Sequence, residues 1–320
     1  MNRYYSLSTY LRTRFGERVQ KIPLDAGFSC PNRDGTISRN GCIFCNPNGS
    51  GTGLGSKGLS LKEQYLFWQE KFSKKYKAKL FLAYLQSYTN TYGPLKKIEE
   101  ILEQLKNLPG LVGLCLGTRP DCLDNDKLNL LASYPFQEIW LDLGLQSSNN
   151  RTLELINRGH KAEDFTRAAT LAHKMGIKTC AHIIAGLPRE TLEDFLETID
   201  FLNKLPISGI KIHNLYICKD TPLAKLWRTG VYKPLTMDEY ILWLERALFS
   251  LRPDIVIHRL NGDPAPNELL APDWASQKHV ILKKIKQSLV DKNLWQGKSS
   301  HPDTIPPWFE GSREDGKLGS

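Results

Sequence analysis

Residues 138–148 read Glu-Ile-Trp-Leu-Asp-Leu-Gly-Leu-Gln-Ser-Ser, an apolar run of strand length (Glu138–Leu145) that stops at a polar cluster, Gln146-Ser147-Ser148. The same phrase recurs along the chain. Apolar, β-rich runs at Lys79–Gln86, Gly110–Gly117, Ile177–Ala185 and Gly209–Leu215 join it. The first three run into Gln86-Ser87-Tyr88-Thr89-Asn90-Thr91, Gly117-Thr118-Arg119-Pro120-Asp121 and Gly186-Leu187-Pro188. Between the runs lie helical patterns near Pro94–Asn107, Asp124–Ser133, Asn149–Asn157, Ala162–Met175 and Glu190–Leu205. Phe165, Ala168, Ala169 and Ala172 step i, i+3, i+4, i+7 along one helical face, and Gly176 is placed to end that helix. Strands alternating with helices imply parallel βαβ units. Gln20–Phe28 supplies a first strand, so six units are expected, short of the eight that close a full barrel. A partial barrel and an open wound sheet both fit, and in either the ligand site lies at the carboxyl ends of the strands, where the polar clusters converge.

One more polar segment follows the first strand. It reads Cys30-Pro31-Asn32-Arg33-Asp34-Gly35, then Gly41-Cys42-Ile43-Phe44-Cys45-Asn46. Three thiolates on one loop bind a metal and leave one coordination position open. A disulfide is disfavoured because the seven cysteines are odd in number and nothing marks export. Structural zinc needs a fourth protein ligand, and no histidine lies nearby at finger spacing. An iron–sulfur cluster is the other common home for closely spaced thiolates.

The 320 residues suffice for a barrel as one domain, and 41% hydrophobic with 24% charged residues is an ordinary globular balance rather than a disordered one. No apolar run approaches the ~20 residues that span a bilayer, and Met1–Ser6 lacks the apolar core of a signal peptide, so a cytoplasmic protein without membrane partners is expected. The net charge of +9 suits an acidic or nucleic-acid partner, although the lysines from Lys278 to Lys286 alternate with Val280, Ile281, Leu282 and Ile285 and also read as the wet face of a helix. Further on, Asp238–Leu251 and Gln277–Leu289 look helical and Ile255–Leu260 looks like a strand. The expected division is a core over residues 1–220, an extension packed on it over 221–298, and an irregular tail over 299–320.

These residues resemble the radical S-adenosylmethionine (SAM) superfamily, in particular a subgroup related to elongator protein 3 and the tRNA methylthiotransferases. The likeness rests on the cysteine triad with Phe44 before its last cysteine, and on phrases in order from about Arg3 to about Val290. They are Asp25–Gly35, Gly117–Asp121, Gly144-Leu145-Gln146-Ser147, Ile156-Asn157-Arg158-Gly159-His160 and His182–Pro188. The superfamily's common spacing is C-x3-C-x2-C, whereas this chain has C-x11-C-x2-C, a longer first interval of the kind that subgroup carries. The resemblance implies an α/β fold, a partial (β/α)6 TIM-like barrel with a C-terminal α/β extension. It implies a [4Fe–4S] cluster on Cys30, Cys42 and Cys45, with SAM on the fourth iron, cleaved reductively to a 5′-deoxyadenosyl radical. SAM contacts fall on Phe44 beside the adenine, on Gln86, Ser87, Tyr88 and Thr89 in place of the family's glycine-rich segment, on Gln146, where relatives often have glutamate, and on Gly186. An aromatic in a buried loop and a turn glycine are the plainer readings of Phe44 and Gly186.

Arg119 and Asp121 read either as a substrate or SAM contact or as a structural ion pair, and His182 and His213 as substrate-pocket candidates near the mouth. Cys115 and Cys180, inside apolar runs, read as core thiols; Cys122 and Cys218 follow strands but lack chelate spacing. The subgroup further implies a tRNA substrate, namely conversion of carboxymethylaminomethyl to aminomethyl at the wobble uridine. It implies a flavodoxin- or ferredoxin-like reductant and a downstream SAM-dependent methyltransferase. The alternatives are a radical SAM enzyme acting on a peptide or small metabolite, and a zinc-bearing, non-enzymatic RNA-binding module.

Overall fold

The computed structural model describes residues 2–46, 58–264 and 267–309. Seven strands run parallel in chain order: β1 (Val19–Leu24), β2 (Leu80–Leu85), β3 (Leu111–Thr118), β4 (Glu138–Gln146), β5 (Lys178–Ala185), β6 (Gly209–Asn214) and β8 (Val256–Arg259). The sheet curls into an incomplete barrel. A separate antiparallel pair joins β7 (Ile217–Cys218) to β9 (Leu269–Ala271). The six expected units are present, and the segment read as an extension adds the seventh strand, β8, beside β6.

The crossovers are helices whose starts are written locally. Helix α2 (Leu61–Tyr76) opens on a Ser60/Glu63 capping box, and α7 (Leu192–Asn203) and α9 (Met237–Ser250) open on Thr191/Asp194 and Thr236/Glu239 boxes. Each box satisfies amide donors that a helix start leaves open. The remaining crossovers use α3 (Leu95–Leu105), α4 (Asn125–Ser133), α5 (Asn150–Leu155), α6 (Ala162–Lys174) and α8 (Pro222–Arg228), and α10 (Lys278–Asp291) follows β9. On α6 the expected face is fully buried, and Gly176 ends the chain's turn there at φ 72°.

The first strand is shorter than the expected Gln20–Phe28. Its pairing stops at Leu24, because Asp25 Oδ1 accepts the Gly27 amide at 3.1 Å and Gly27 takes φ 64°, turning the chain toward the cysteine loop. Pro23 is tolerated because β1 lies at the sheet edge.

Two apolar clusters divide the two faces of the sheet. The larger joins its outer face to the helices, through residues such as Leu114, Leu141, Ile183, Phe165 and Phe195. The smaller fills the barrel base with Leu82, Val112, Cys115, Trp140 and Cys180. Helix α1 (Leu7–Phe15) contributes Leu11 to that plug and touches both β1 and β8, so it closes the base where the sheet does not. Tyr10 sets its ring edge-on to Trp140 at 5.7 Å and donates to Glu138 at 2.5 Å. Cys115 and Cys180 are buried here as core thiols, as expected. Residues 299–309 form no helix or strand, and the rest of the expected tail, 310–320, lies outside the described residues.

Candidate functional site at the barrel mouth

With its base plugged, the barrel opens only toward the carboxyl ends of its strands, and a cavity of about 850 Å³ lies there. The cysteine loop forms one wall. Its eleven-residue insert folds back on itself: the Ile37 amide donates to Pro31 O at 2.8 Å and the Gly41 amide to Asn32 O at 2.8 Å. Cys30 and Cys42 are thus joined by a closed loop rather than an extended one, while the Cys45 amide donates to Cys42 O at 2.9 Å and tightens the second interval. All three cysteines line the cavity.

The segment Ile156–His160 is the clamp on this loop. Asn157, at φ 53°, donates to Gly41 O at 2.6 Å and receives Asn32 Nδ2 on its own carbonyl at 2.6 Å. Ile156 O accepts the Ile43 amide at 3.1 Å. Gly159 permits the close approach, because a Cβ there would lie 2.8 Å from Ile37 and 3.1 Å from Asn32 Oδ1. Arg158 reaches Gly144 O at 2.9 Å and points a second guanidinium nitrogen at Cys42 Sγ, 3.7 Å away. Asn32 Nδ2 lies 3.6 Å from the same sulfur.

The donor set suits a thiolate-bound cation. Burial pushes the Cys45 thiol up to about 11, and the neighbouring Cys42 and Cys30 push it the same way, as expected of three sulfurs facing one another. Holding three thiolates together therefore needs positive charge between them, and Arg158 and Arg33 only partly supply it.

Around the mouth the expected site residues divide. Phe44, Gln86, Tyr88, Thr89, Gln146, Arg119, His182 and His213 line the cavity. Gln146 bends to φ 71° and leaves its buried Oε1 without a partner among the described residues. Ser87 is buried behind the wall and lies outside the lining. Gly186 also stands off the cavity: its carbonyl accepts the Tyr232 hydroxyl at 2.7 Å, and a Cβ there would meet Leu235 at 2.9 Å. It fits the turn-glycine reading. Asp121 forms an ion pair with Arg119 at 2.9 Å and does not line the cavity. Arg119 also donates to Arg158 O at 2.8 Å, tying the third strand end to the clamp. Cys122 is buried away from the lining, whereas Cys218 belongs to it.

The floor holds what the sequence did not disclose. Lys211 of β6 and Asp142 of β4 meet at 2.5 Å, and Lys211 also donates to Tyr84 Oη at 3.0 Å. Burial alone would discharge both. Their attraction more than offsets it, so Lys211 is held above the ordinary amine range and Asp142 well below the ordinary carboxylate range. Above the pair, His182 Nε2 and His213 Nδ1 are 2.9 Å apart. Burial, then the nearby Lys211, pulls His182 down to about 3, so both imidazoles are neutral at physiological pH. Asp142, Cys180 and His258 also cluster tightly below, but Lys211 and Lys21 (3.3 Å from His258 Nδ1) already supply the cations there.

A parallel half-barrel, plugged at its base and carrying a cysteine loop at its mouth, is the frame of a cofactor enzyme. Comparison with known proteins narrows the class. Residues 35–202 match the radical SAM superfamily, and residues 207–291 match the radical SAM C-terminal domain. The chain is 36% identical over 297 residues to the uncharacterized protein YtqA of Bacillus subtilis (strain 168), covering 92% of each. It is 29% identical over 154 residues to a tRNA uridine(34) acetyltransferase of Methanocaldococcus infernus, which is 46% of this chain and 27% of that one. Among solved structures, the archaeal Elp3 of Methanocaldococcus infernus shares the fold, with a TM-score of 0.64, 17% identity, and 87% of this chain laid on 64% of that one. This chain belongs to the radical SAM superfamily, whose enzymes use a [4Fe–4S] cluster and SAM.

Proposed function

We propose that this protein is a radical SAM enzyme of tRNA modification, acting on the wobble uridine to convert carboxymethylaminomethyl to aminomethyl. The observation that carries the cofactor part is the convergence of Cys30, Cys42 and Cys45 on one wall of a cavity whose opposite walls are strand ends. These cysteines would hold the cluster, leaving one iron for SAM. Gln146, Gln86, Tyr88 and Thr89 offer amide and hydroxyl groups to SAM, and Phe44 an aromatic face. When bound, the cluster and SAM would supply a 5′-deoxyadenosyl radical, which takes a hydrogen atom from the carboxymethyl carbon beside nitrogen and leaves a stabilised carbon radical. Loss of a second electron would give an imine, which water would hydrolyse to the aminomethyl group and glyoxylate, the two electrons balancing the net reduction of SAM to methionine and 5′-deoxyadenosine.

The chain's own residues orient and shield. Asn157 and Arg158 fix the cysteine loop, and the ion-paired floor with its neutral histidines closes the cavity from below. The tRNA reading is supported by the likeness to a tRNA uridine(34) acetyltransferase and by a net charge of +9. A reductant of the flavodoxin or ferredoxin kind would supply the electron, a separate methyltransferase would complete the modification, and the cytoplasm is the fitting compartment. Among the described residues no helix is long and apolar enough to cross a membrane.

The test is anaerobic incubation of the reduced, reconstituted protein with SAM and tRNA carrying carboxymethylaminomethyluridine, followed by nucleoside mass spectrometry. The expected result is loss of the carboxymethyl group from the wobble uridine. Release of 5′-deoxyadenosine that tRNA does not stimulate would favour a peptide or small metabolite instead. A colourless protein with stoichiometric zinc would remove the radical reading altogether.

A further inference from the structure

Among the buried polar atoms that lack a partner in the described residues, two groups belong to residues that line the cavity. One surrounds the cysteine loop: Asn32 Oδ1, Arg158 Nε and Gln146 Oε1. The other lies at the carboxyl end of β6. His213 Nε2 and Asn214 Nδ2 are both buried without a partner among the described residues. Asn214 is 2% exposed, and its Oδ1 already accepts the Gly262 amide at 2.7 Å, so its free amide hydrogens are donors with nowhere to go. A buried donor left open is destabilising, which a native fold tolerates where a ligand completes it.

Arg259 stands beside them. The register between β6 and β8 slips by one residue, Ile210 facing Ile257 while Lys211 faces Arg259. This bulge lets two successive residues point inward. His258 packs on Trp140 in the barrel, at 4.4 Å between ring centroids, and Arg259 still lines the cavity. Every other cation on this floor is neutralised or committed: Lys211 holds Asp142 and Tyr84, and Lys21 approaches His258. Arg259 makes no hydrogen bond or ion pair among the described residues, although it is close enough to depress both histidines. A guanidinium in a half-buried wall, flanked by an unpartnered amide donor and a neutral imidazole, is a receptor for a planar anion.

We propose that Arg259, with Asn214 and His213, forms a subsite for a carboxylate borne by the substrate, in the same cavity as the cysteine loop. This rests on the wobble-uridine reading, in which the group to be removed ends in a carboxylate. The subsite anchors that end within the cavity that the three cysteines also line. Arg259 supplies the charge, Asn214 Nδ2 a fixed hydrogen bond, and His213 Nε2, as the donor tautomer, a second.

The experiment compares binding of two probes, 5-carboxymethylaminomethyluridine and its methyl ester, to the reconstituted holoprotein with SAM present. Wild type, Arg259→Lys and Arg259→Gln are measured, and the nucleoside assay on tRNA is run in parallel. Wild type is expected to bind the acid at least 10-fold more tightly than the ester. Arg259→Gln should lose that preference while keeping its ester affinity, and Arg259→Lys should keep part of it, because Lys restores charge without the planar fork. A general loss of folding in Arg259→Gln would lower both affinities and the melting temperature together; Arg259→Lys then decides by its acid-to-ester ratio. Equal affinity for acid and ester in a wild-type protein that still converts the tRNA would overturn the subsite and leave the function standing. A wild type that neither binds the nucleoside nor alters the wobble uridine would overturn the function and the subsite with it.

Discussion

The outer and inner faces of the same seven strands are built on opposite principles. Outward residues such as Leu114, Leu141 and Ile183 pack on helices in one continuous apolar layer, where any side chain of about the right shape serves. Inward residues change character with depth. Trp140 and Cys180 belong to an apolar base, Asp142 and Lys211 form an ion-paired floor, and His182, His213 and Arg259 face the cavity. The outer face holds the fold together, while the inner face is specified residue by residue. A buried ion pair is a poor way to gain stability and a good way to fix neighbouring groups in one arrangement.

Three substitutions sharpen that contrast. The largest effect is expected on the floor. Lys211→Met strands the Asp142 carboxylate in the barrel and should cost about 3–5 kcal/mol by urea denaturation. The double variant Lys211→Met, Asp142→Leu should regain most of that, since the uncompensated charge is gone. A double variant no more stable than the single would mean that the pair gives the inner face its stability as well as its order. On the outer face, Leu141→Met should cost less than about 1.5 kcal/mol in the same assay, because volume is nearly conserved. A loss as large as that of Lys211→Met would erase the distinction.

The smallest effect is a pH dependence at the rim. Burial pushes the Glu190 carboxyl, bonded to Ser147, up to about 7 from an ordinary 4.5. A raised carboxyl pKa means that the native state holds the proton longer than the unfolded chain does. The penalty for Glu190 is absent below about 4.5, grows up to about 7 and is complete above it. Glu190→Gln should therefore stabilise on the order of 1 kcal/mol at pH 8 and hardly at all at pH 4.5, measured by thermal melts. An equal gain at both values would assign the effect to something other than ionisation.

The same contrast explains what could be read from the sequence. Outer-face positions announce themselves by period: the α6 face Phe165, Ala168, Ala169, Ala172 and the apolar strand runs were both legible and both hold. The mouth was legible because each polar cluster directly follows an apolar run. Lys211 and Asp142 were not, since a single charge inside an apolar run reads as an interruption until its partner two strands away is known. Arg259 was hidden for a different reason. Strict alternation sends it outward, and only the β6–β8 bulge, set by pairing, turns it in. Gly186 was legible only in part: its place after a strand announced a glycine at φ 83°, while the Tyr232 hydroxyl on its carbonyl comes from a distant segment. The eleven-residue cysteine interval became intelligible once Asn32 and Gly41 were seen to close it under Asn157.

The central claim is that one wall of the mouth, the cysteine loop, is the cofactor seat and the rest of the cavity serves it. Its most direct test is 5′-deoxyadenosine formation by anaerobically reconstituted, dithionite-reduced protein with SAM, comparing wild type with Cys42→Ala and with Cys115→Ala in the barrel base. Cys42→Ala should show no SAM cleavage and lose the iron and sulfide of the cluster, while Cys115→Ala should keep both. Normal 5′-deoxyadenosine formation by Cys42→Ala would contradict the account.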